Sequence, residues 1–403
     1  MSEAPTSIRP FLNGFSLQLL LSNLPTVLVF AILPYIADEL GLGVTILGTL
    51  FLLVRVGAIL GAQVGPRLLR RFSAKSIAVV SELLNGGLSG LLAWAIFSKV
   101  DLLLFLVVFF KGVNSGLLHN ARLHWLKNLH PGVEGQRVLL VLNSLGQSFY
   151  GIAGVFILFG MVGSLAIKVA ILMDALSSLI GAYVFSRIGI AQSEPIRSRM
   201  RESIRLMFYG NNKWLIFNDL LLCVAFAGTN MLLVKAGQNL FPQMGGYATA
   251  LIIYASGFLV SGWYSQARAG ASDHPLYKII WAVALPVVLM GPLIFVIDSF
   301  EAAFFPSSLW KIVLGVGFFS LFFTYPLFLL RLDGVWFRTL EKQSIAGVFA
   351  MRVSLIGLVT AVGEPFYAAI SYRADSVIRF GFLGAAVVMI QMVAPRFKHL
   401  EAK

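Results

Sequence analysis

Charged and polar side chains recur at helical spacing inside long apolar stretches of this sequence. Arg55 lies in the run "FLLVRVGAILG", and a second run carries a stripe formed by Lys111, Ser115, His119 and Arg122. Residues three or four positions apart share one face of a helix. A cation in hydrocarbon costs at least about 2.5 kcal/mol unless a partner neutralises it. The pattern therefore predicts either ion pairs between helices or a binding site for a negatively charged molecule.

Further polar and aromatic stripes extend this candidate site. Gln18, Ser22 and Thr26 follow one another at steps of four, and Asn230 lies in a later apolar run. Aromatic residues share a face in another run, although such a stripe is also typical of helix packing. The predicted substrate-binding residues are Arg55, Lys111, Ser115, Gln18, Ser22, Asn230, Phe318, Phe322 and Tyr325.

Four acidic residues also lie within apolar runs: Glu82, Asp174, Asp219 and Glu364. A carboxyl group in hydrocarbon can take up and release a proton near neutral pH. Glu364 precedes Pro365, which interrupts the helical hydrogen bonds and often marks a moving or binding helix. We predict that Asp219 and Glu364 couple to protons and that Asp174 is structural. Glu364 is also the candidate partner in an ion pair with Arg55.

The composition indicates a membrane protein. The chain is 58% hydrophobic and only 12% charged, about half the charged fraction of a soluble domain. Its net charge of +13 comes from short basic clusters between apolar runs, which argues against nucleic-acid binding. The single cysteine, Cys223, excludes an internal disulfide. We expect no metal and no cofactor.

The apolar runs predict an all-α polytopic protein with twelve transmembrane helices, because exposed backbone in lipid must satisfy its own hydrogen bonds. Basic residues gather in alternate loops, so the positive-inside rule predicts that both termini are cytoplasmic. The predicted spans are 11–37, 44–66, 76–98, 101–127, 137–160, 164–188, 213–238, 245–266, 277–298, 307–331, 344–369 and 374–394.

The longest polar connection divides the spans into two pseudo-symmetric groups of six. "WLKNL" from Trp125 and "VLLVLNSL" from Val138 match "WFRTL" from Trp336 and "VFAMRVSL" from Val348 at nearly the same offset. Repeated membrane halves are typical of transporters, which move two bundles about a central site. The predicted domains are an N-terminal bundle (1–190), a cytoplasmic linker (191–212) and a C-terminal bundle (213–403).

The chain resembles the major facilitator superfamily over its whole length. The loop after the second span, "GAQVGPRLLRRFSAKS", keeps Gly61, Gly65, Arg71 and Lys75 of that family's gating motif. The stretches "MDALSSLIGAYVFSRI" and "AGVFAMRVSLIGLVTAVG" are most similar to the macrolide-efflux and siderophore-exporter branch. The resemblance implies that spans one, four, seven and ten line a cavity. It also implies that span two meets span eleven, where Gly57, Gly61 and Gly65 would form a sliding seam.

These observations predict a secondary active transporter, a proton-coupled exporter of a small amphipathic and anionic compound. A siderophore, an antibiotic or a related natural product would suit the branch. The alternatives are a proton-coupled importer of an organic anion or siderophore, and a lipid flippase. The sequence is less consistent with an intramembrane enzyme, a channel or a membrane scaffold. It has no H-E-x-x-H motif for metal-dependent catalysis and no Walker motif for direct use of ATP. We expect a monomer in contact with membrane lipid, in a bacterial inner membrane.

Overall fold

The computed structural model describes eleven helical segments within residues 18, 22–34, 36, 40–41, 43–129, 133–159, 164–188, 200–210, 212–226, 246–267, 329, 332–341 and 344–369. In chain order these segments are α1 (Leu24–Ala31), α2 (Val44–Leu68), α3 (Ala74–Phe97), α4 (Asp101–Leu129), α5 (Val133–Leu158), α6 (Ser164–Arg187), α7 (Met200–Phe208), α8 (Asn212–Phe226), α9 (Gly246–Ala267), α10 (332–339) and α11 (Ile345–Ala369). No β-strand occurs in these ranges.

Seven of the described helices are long and apolar enough to cross a membrane, namely α2 to α6, α9 and α11. Their bounds agree with the predicted spans to within about four residues, as expected for helix ends read from sequence. Spans 277–298 and 374–394 and most of 307–331 lie outside the described residues, so the count of twelve stays a prediction. Within the predicted linker 191–212, the structure adds the short helix α7.

Local sequence explains where the second and third spans end and begin. The Ser73 side chain accepts a hydrogen bond from the Ser76 backbone N–H, which caps the first turn of α3. Lys75 extends from this turn and donates to the backbone carbonyl of Ile188, 3.0 Å away, just after α6. Lys75 therefore joins the loop after α2 to the end of α6, where helix carbonyls lack partners.

The three glycines of α2 face α4 rather than α11, so the predicted position of the sliding seam was wrong. A Cβ atom on Gly61 would lie 2.8 Å from the carbonyl carbon of Val113, and one on Gly65 would lie 2.6 Å from Nδ2 of Asn120. Gly112 and Gly116 of α4 complete the seam, since their backbone lies against Val54 and Ala58. Small residues on both helices thus let two backbones within the first group of helices touch.

The two groups of helices meet where α2 packs on α11 and where α5 packs on α9. Gln63 of α2 donates a hydrogen bond to the Ser354 hydroxyl of α11. At the other interface, Gly262 of α9 leaves room for the side chain of Ser144 on α5. Ser144 and Ser354 are matched positions of the predicted sequence repeat.

The seam between α2 and α4 generates a stability prediction. Gly61→Ala should lower the thermal unfolding temperature of the purified protein in detergent, because the new methyl group meets backbone atoms that cannot rotate away. Overpacking of this kind costs about 1–3 kcal/mol. Gly87→Ala on α3 is the matched control, since a Cβ there meets nothing within 4 Å. Equal unfolding temperatures for the two variants would refute a tight seam.

Candidate functional site

A cavity of about 550 Å³ lies between the two groups of helices. Residues of α1, α2, α4 and α5 line one side, and residues of α9, α10 and α11 line the other. Its polar lining includes Arg55, Asn114, Ser115, Arg122, Asn143 and Arg352. A concave site at the interface of two packed units is where small ligands usually bind.

Lys111 reaches this cavity but is neutralised within the protein. Its ammonium nitrogen lies 2.7 Å from Oδ2 of Asp174 on α6, and both side chains are almost completely buried. Lys111 also donates to Asn85 and Ser89 of α3, at 2.9 and 2.7 Å. Thr26 of α1 donates to the same carboxylate at 2.5 Å. This network joins four helices, as the expected structural role of Asp174 requires.

The sequence left two explanations open for Lys111, an ion pair between helices and a binding site for an anion, and Asp174 supplies the ion pair. Asp174 neutralises Lys111, and each charged group can stay buried only because its partner lies beside it. Lys111 is consequently a weaker candidate for a substrate contact than Arg55.

Glu82 on α3 is a second acid in the first group of helices, and its carboxylate accepts hydrogen bonds from the predicted polar stripe of span one. Gln18 and Ser22 donate hydrogen bonds to its two carboxylate oxygens, at 2.5 and 2.6 Å. Arg122 of α4 lies 3.7 Å from the carboxylate and donates to Gln18 at 2.7 Å. Gln18 and Ser22, predicted to bind substrate, are thus engaged in an internal network beside the cavity.

Arg55 has a different environment. It is exposed and lines the cavity. No hydrogen bond or ion pair joins it to another residue within the described ranges, and the side chain of its proposed partner Glu364 lies outside them. Ser115 of α4 is also exposed and lines the same cavity. Arg55 and Ser115 therefore remain candidates for direct contact with a ligand.

The second group of helices places two acids around one arginine. Arg352 of α11 contacts both oxygens of Asp219 on α8, at 2.6 and 2.7 Å, and also forms an ion pair with Asp333 on α10. The indole N–H of Trp336 donates to Asp219 at 3.0 Å. Asp219, predicted to couple to protons, is almost completely buried in this cluster. The role of Asp219 stays a prediction.

Aromatic rings form part of the cavity wall where α5 meets α9. The rings of Tyr150 and Tyr254 are perpendicular, with centroids 5.8 Å apart. Phe258 lies 4.9 Å from the Tyr254 ring, and the Tyr254 hydroxyl donates to Gln147 at 3.1 Å. All four residues line the cavity. The wall therefore offers flat apolar surface with few polar atoms.

Other predicted site residues fall elsewhere. Gly61 and Gly65 lie in the α2–α4 seam, and Arg71 is exposed in the loop that follows α2. Asn230, Phe318, Phe322 and Tyr325 lie outside the described residues.

Sequence reasoning missed Asp333, Arg352 and Asn143. Arg352 is inside the quoted repeat "VFAMRVSL", so its charge within an apolar run was the available signal. Asp333 lies just beyond the predicted end of span ten, outside the apolar runs in which charged residues stand out. Within the described ranges, no group of three or more His, Cys, Asp or Glu residues forms a metal site.

No family model and no curated protein matches the sequence. Solved structures do match, and one is the human organic anion transporter MFSD10, with a TM-score of 0.74 and 13% identity over 95% of this chain and 98% of that one. The proton:xylose symporter XylE has a TM-score of 0.68 and 11% identity over 98% of both chains. FucP in its outward conformation has a TM-score of 0.62 and 14% identity over 94% of this chain and 98% of that one. The chain has the major facilitator fold.

This fold and the apolar helices together make the chain an integral membrane protein. In the arrangement seen here, the charged networks around Glu82 and Asp174 involve helices α3 and α6, which pack against each other, and α3 also packs against α4. Glu82 and Asn85 of α3 reach the cavity wall. These two helices therefore support the cavity electrostatically as well as sterically.

The buried pair predicts how Lys111 variants behave. Lys111→Ala should destabilise the protein by about 3–5 kcal/mol, because it leaves the Asp174 carboxylate buried without its cation. The double variant with Asp174→Asn should regain much of the loss. Thermal unfolding in detergent measures both effects.

Lys168→Ala on α6 is the matched control, since Lys168 is exposed and packs over the Phe97 ring. If Lys111→Ala kept wild-type stability but lost ligand binding, Lys111 would instead be a substrate contact.

Proposed function

We propose that the protein is a secondary active transporter that exports a small amphipathic organic anion in exchange for protons. The observation that carries this proposal is Arg55, a cavity-lining cation that no described residue neutralises. An anion entering the cavity would supply the missing negative charge. Each charge-assisted hydrogen bond to it would contribute about 1.5–3 kcal/mol.

The remaining lining supports an amphipathic rather than a purely polar substrate. Tyr150, Tyr254 and Phe258 provide an apolar wall, while Ser115 and Asn114 offer hydrogen-bonding groups. An acidic molecule with an aromatic or other apolar body would use both kinds of surface. A carboxylate siderophore or another acidic natural product has this character.

The comparisons are compatible with this proposal. MFSD10 is described as an organic anion transporter, XylE as a proton:xylose symporter and FucP as a fucose:proton symporter from E. coli. Those activities belong to the neighbouring structures. Because their sequence identities to this chain are low, the similarity establishes only the fold of this chain. Proton coupling and an anionic substrate are proposals that agree with what such a fold can perform.

Export as the direction rests on the sequence resemblance to the efflux branch. A monomer is the default for this fold, and a bacterial inner membrane is the proposed location. The alternative is import of an organic anion or siderophore by the same cavity, because major facilitator neighbours include symporters. A lipid flippase of the same fold is a further alternative. The direction of net flux separates export from import.

Arg55→Gln should weaken binding of an organic anion about tenfold or more, since a factor of ten corresponds to about 1.4 kcal/mol. Neutral compounds of similar shape should bind nearly as they do to the wild type. Binding to the purified protein and accumulation in cells with and without the protein measure affinity and direction, respectively.

Arg70→Gln is the matched control, because Arg70 is exposed outside the cavity. Higher accumulation in expressing cells would favour import, and preference for lipophilic cations would exclude the proposed role of Arg55.

A further inference from the structure

One polar contact joins the charged cluster of the second group of helices to the first group. Asn143 of α5 donates from Nδ2 to Oδ2 of Asp333, 3.1 Å away, while Oδ1 of Asp333 pairs with Arg352. The Asp333 side chain is 13% exposed, and Asp333, Arg352 and Asn143 all line the cavity. Asp333 therefore contacts its own group of helices, the opposite group and the cavity at once.

The cluster holds an unequal number of charges. Arg352 supplies one positive charge to two carboxylates, those of Asp219 and Asp333, which repel one another. Asp219 takes the better position, because both its oxygens contact the guanidinium and Trp336 donates to it as well. Asp333 is left with a single contact to the arginine.

The contact also lies where the helix groups close against each other. Close to Asp333, Lys127 of α4 donates to the backbone carbonyl of Phe337 on α10. Gly334, the next residue after Asp333, lies against the side chain of Gln136 on α5. These contacts lie at the helix ends that adjoin the basic loops. Separation of α10 from α4 and α5 would therefore open the cavity at that end.

We propose that Asp333, in place of the predicted Asp219, binds the coupling proton and that its charge controls closure of the cavity at the end with the basic loops. This proposal rests on the proposed function and deepens it. When Asp333 is ionised, its carboxylate accepts the hydrogen bond from Asn143 and holds the two groups together. When Asp333 binds a proton, the carboxyl group is neutral, the hydrogen bond from Asn143 weakens, and that end opens. The proton leaves from Asp333 to water on the newly opened side.

Several charged and titratable groups lie near Asp333, and they affect how its charge responds to pH. Arg352 and Asp219 face it from α11 and α8 within the cluster. From α4, Lys127 approaches the neighbouring turn of α10, and His119 and Arg122 line the same cavity. Glu82 of α3 offsets the charge of Arg122. Arg352, which stays paired with Asp219, keeps the protonated cluster neutral and folded.

A labelling experiment tests closure without any substrate. Cys223 is replaced by serine, and Ser115→Cys supplies a reporter that is exposed and lines the cavity. A membrane-impermeant maleimide is added to vesicles of the full chain whose outer surface carries the basic loops, at pH 8 and at pH 5.5. Because a maleimide reacts with the thiolate, each rate is divided by the rate for the same thiol in the unfolded protein at the same pH. We expect this relative labelling rate to be about tenfold lower at pH 8, the effect of one charge-assisted hydrogen bond on an equilibrium.

The relative labelling rate of Asp333→Asn should be high at both pH values, because its side chain is always neutral. Asn143→Asp should label fast at pH 8, because two carboxylates would then repel each other. Glu341→Gln is the matched control, since Glu341 is exposed just after α10 and should leave the wild-type pH response intact. A wild-type pH response in Asp333→Asn would overturn the proposal.

A transport measurement then separates this proposal from the proposed function. In vesicles, Asp333→Asn should lose proton-driven accumulation of the organic anion while keeping exchange of labelled for unlabelled anion. If the wild type carries no organic anion but still shows the pH-dependent labelling, the substrate proposal fails and the role of Asp333 survives. If Asp333→Asn retains uphill transport, Asp333 is not the coupling residue.

Discussion

The need to neutralise charge in hydrocarbon organises the described part of the structure. Lys111 with Asp174, Arg122 with Glu82, and Arg352 with Asp219 are ion pairs away from bulk water. Each pair connects helices of the same group: α4 to α6, α4 to α3, and α11 to α8. Because loss of one partner would leave an uncompensated charge, each pair fixes the arrangement of helices around it. The charges thus favour two rigid units with a cavity between them.

Several contacts between the two units are of a different kind. Gln63 with Ser354 and Tyr254 with Gln147 are hydrogen bonds between neutral groups, and α5 meets α9 through glycine and serine. A neutral hydrogen bond contributes only about 0.5–1.5 kcal/mol net and can re-form with water in an open cavity. These neutral contacts can break without exposing an unpaired buried charge. At the end with the basic loops, two further contacts between the units carry charge, that of Asn143 with the Asp333 carboxylate and that of the Lys127 ammonium group with the Phe337 carbonyl. Such an arrangement suits alternating exposure of a central site.

The sequence predicted the helices well, because each apolar run has to form its own hydrogen bonds in lipid. It also identified Lys111 and Arg55 as cations in apolar runs. It could not identify their surroundings, since partners such as Asp174 and Lys111 are distant in sequence and meet only because α6 and α4 both pack against α3. The glycines of α2 show the same limit: their spacing predicts close approach of a helix but does not specify which one. Asp333 was missed because its importance depends on Asn143 and Arg352, which only the fold brings to it.

The proposed roles of Arg55 and Asp333 together give an order of events. The end with the basic loops closes only when Asp333 is ionised, so closure and outward movement would occur with the anion on Arg55 and no proton on Asp333. Opening at that end requires a protonated Asp333, so the return would carry the proton, with Arg55 hydrated in the cavity. Each cycle would then move a negative charge outward and a positive charge inward. An exporter built in this way would draw on the membrane potential as well as the pH gradient, because both movements carry charge in the favourable direction.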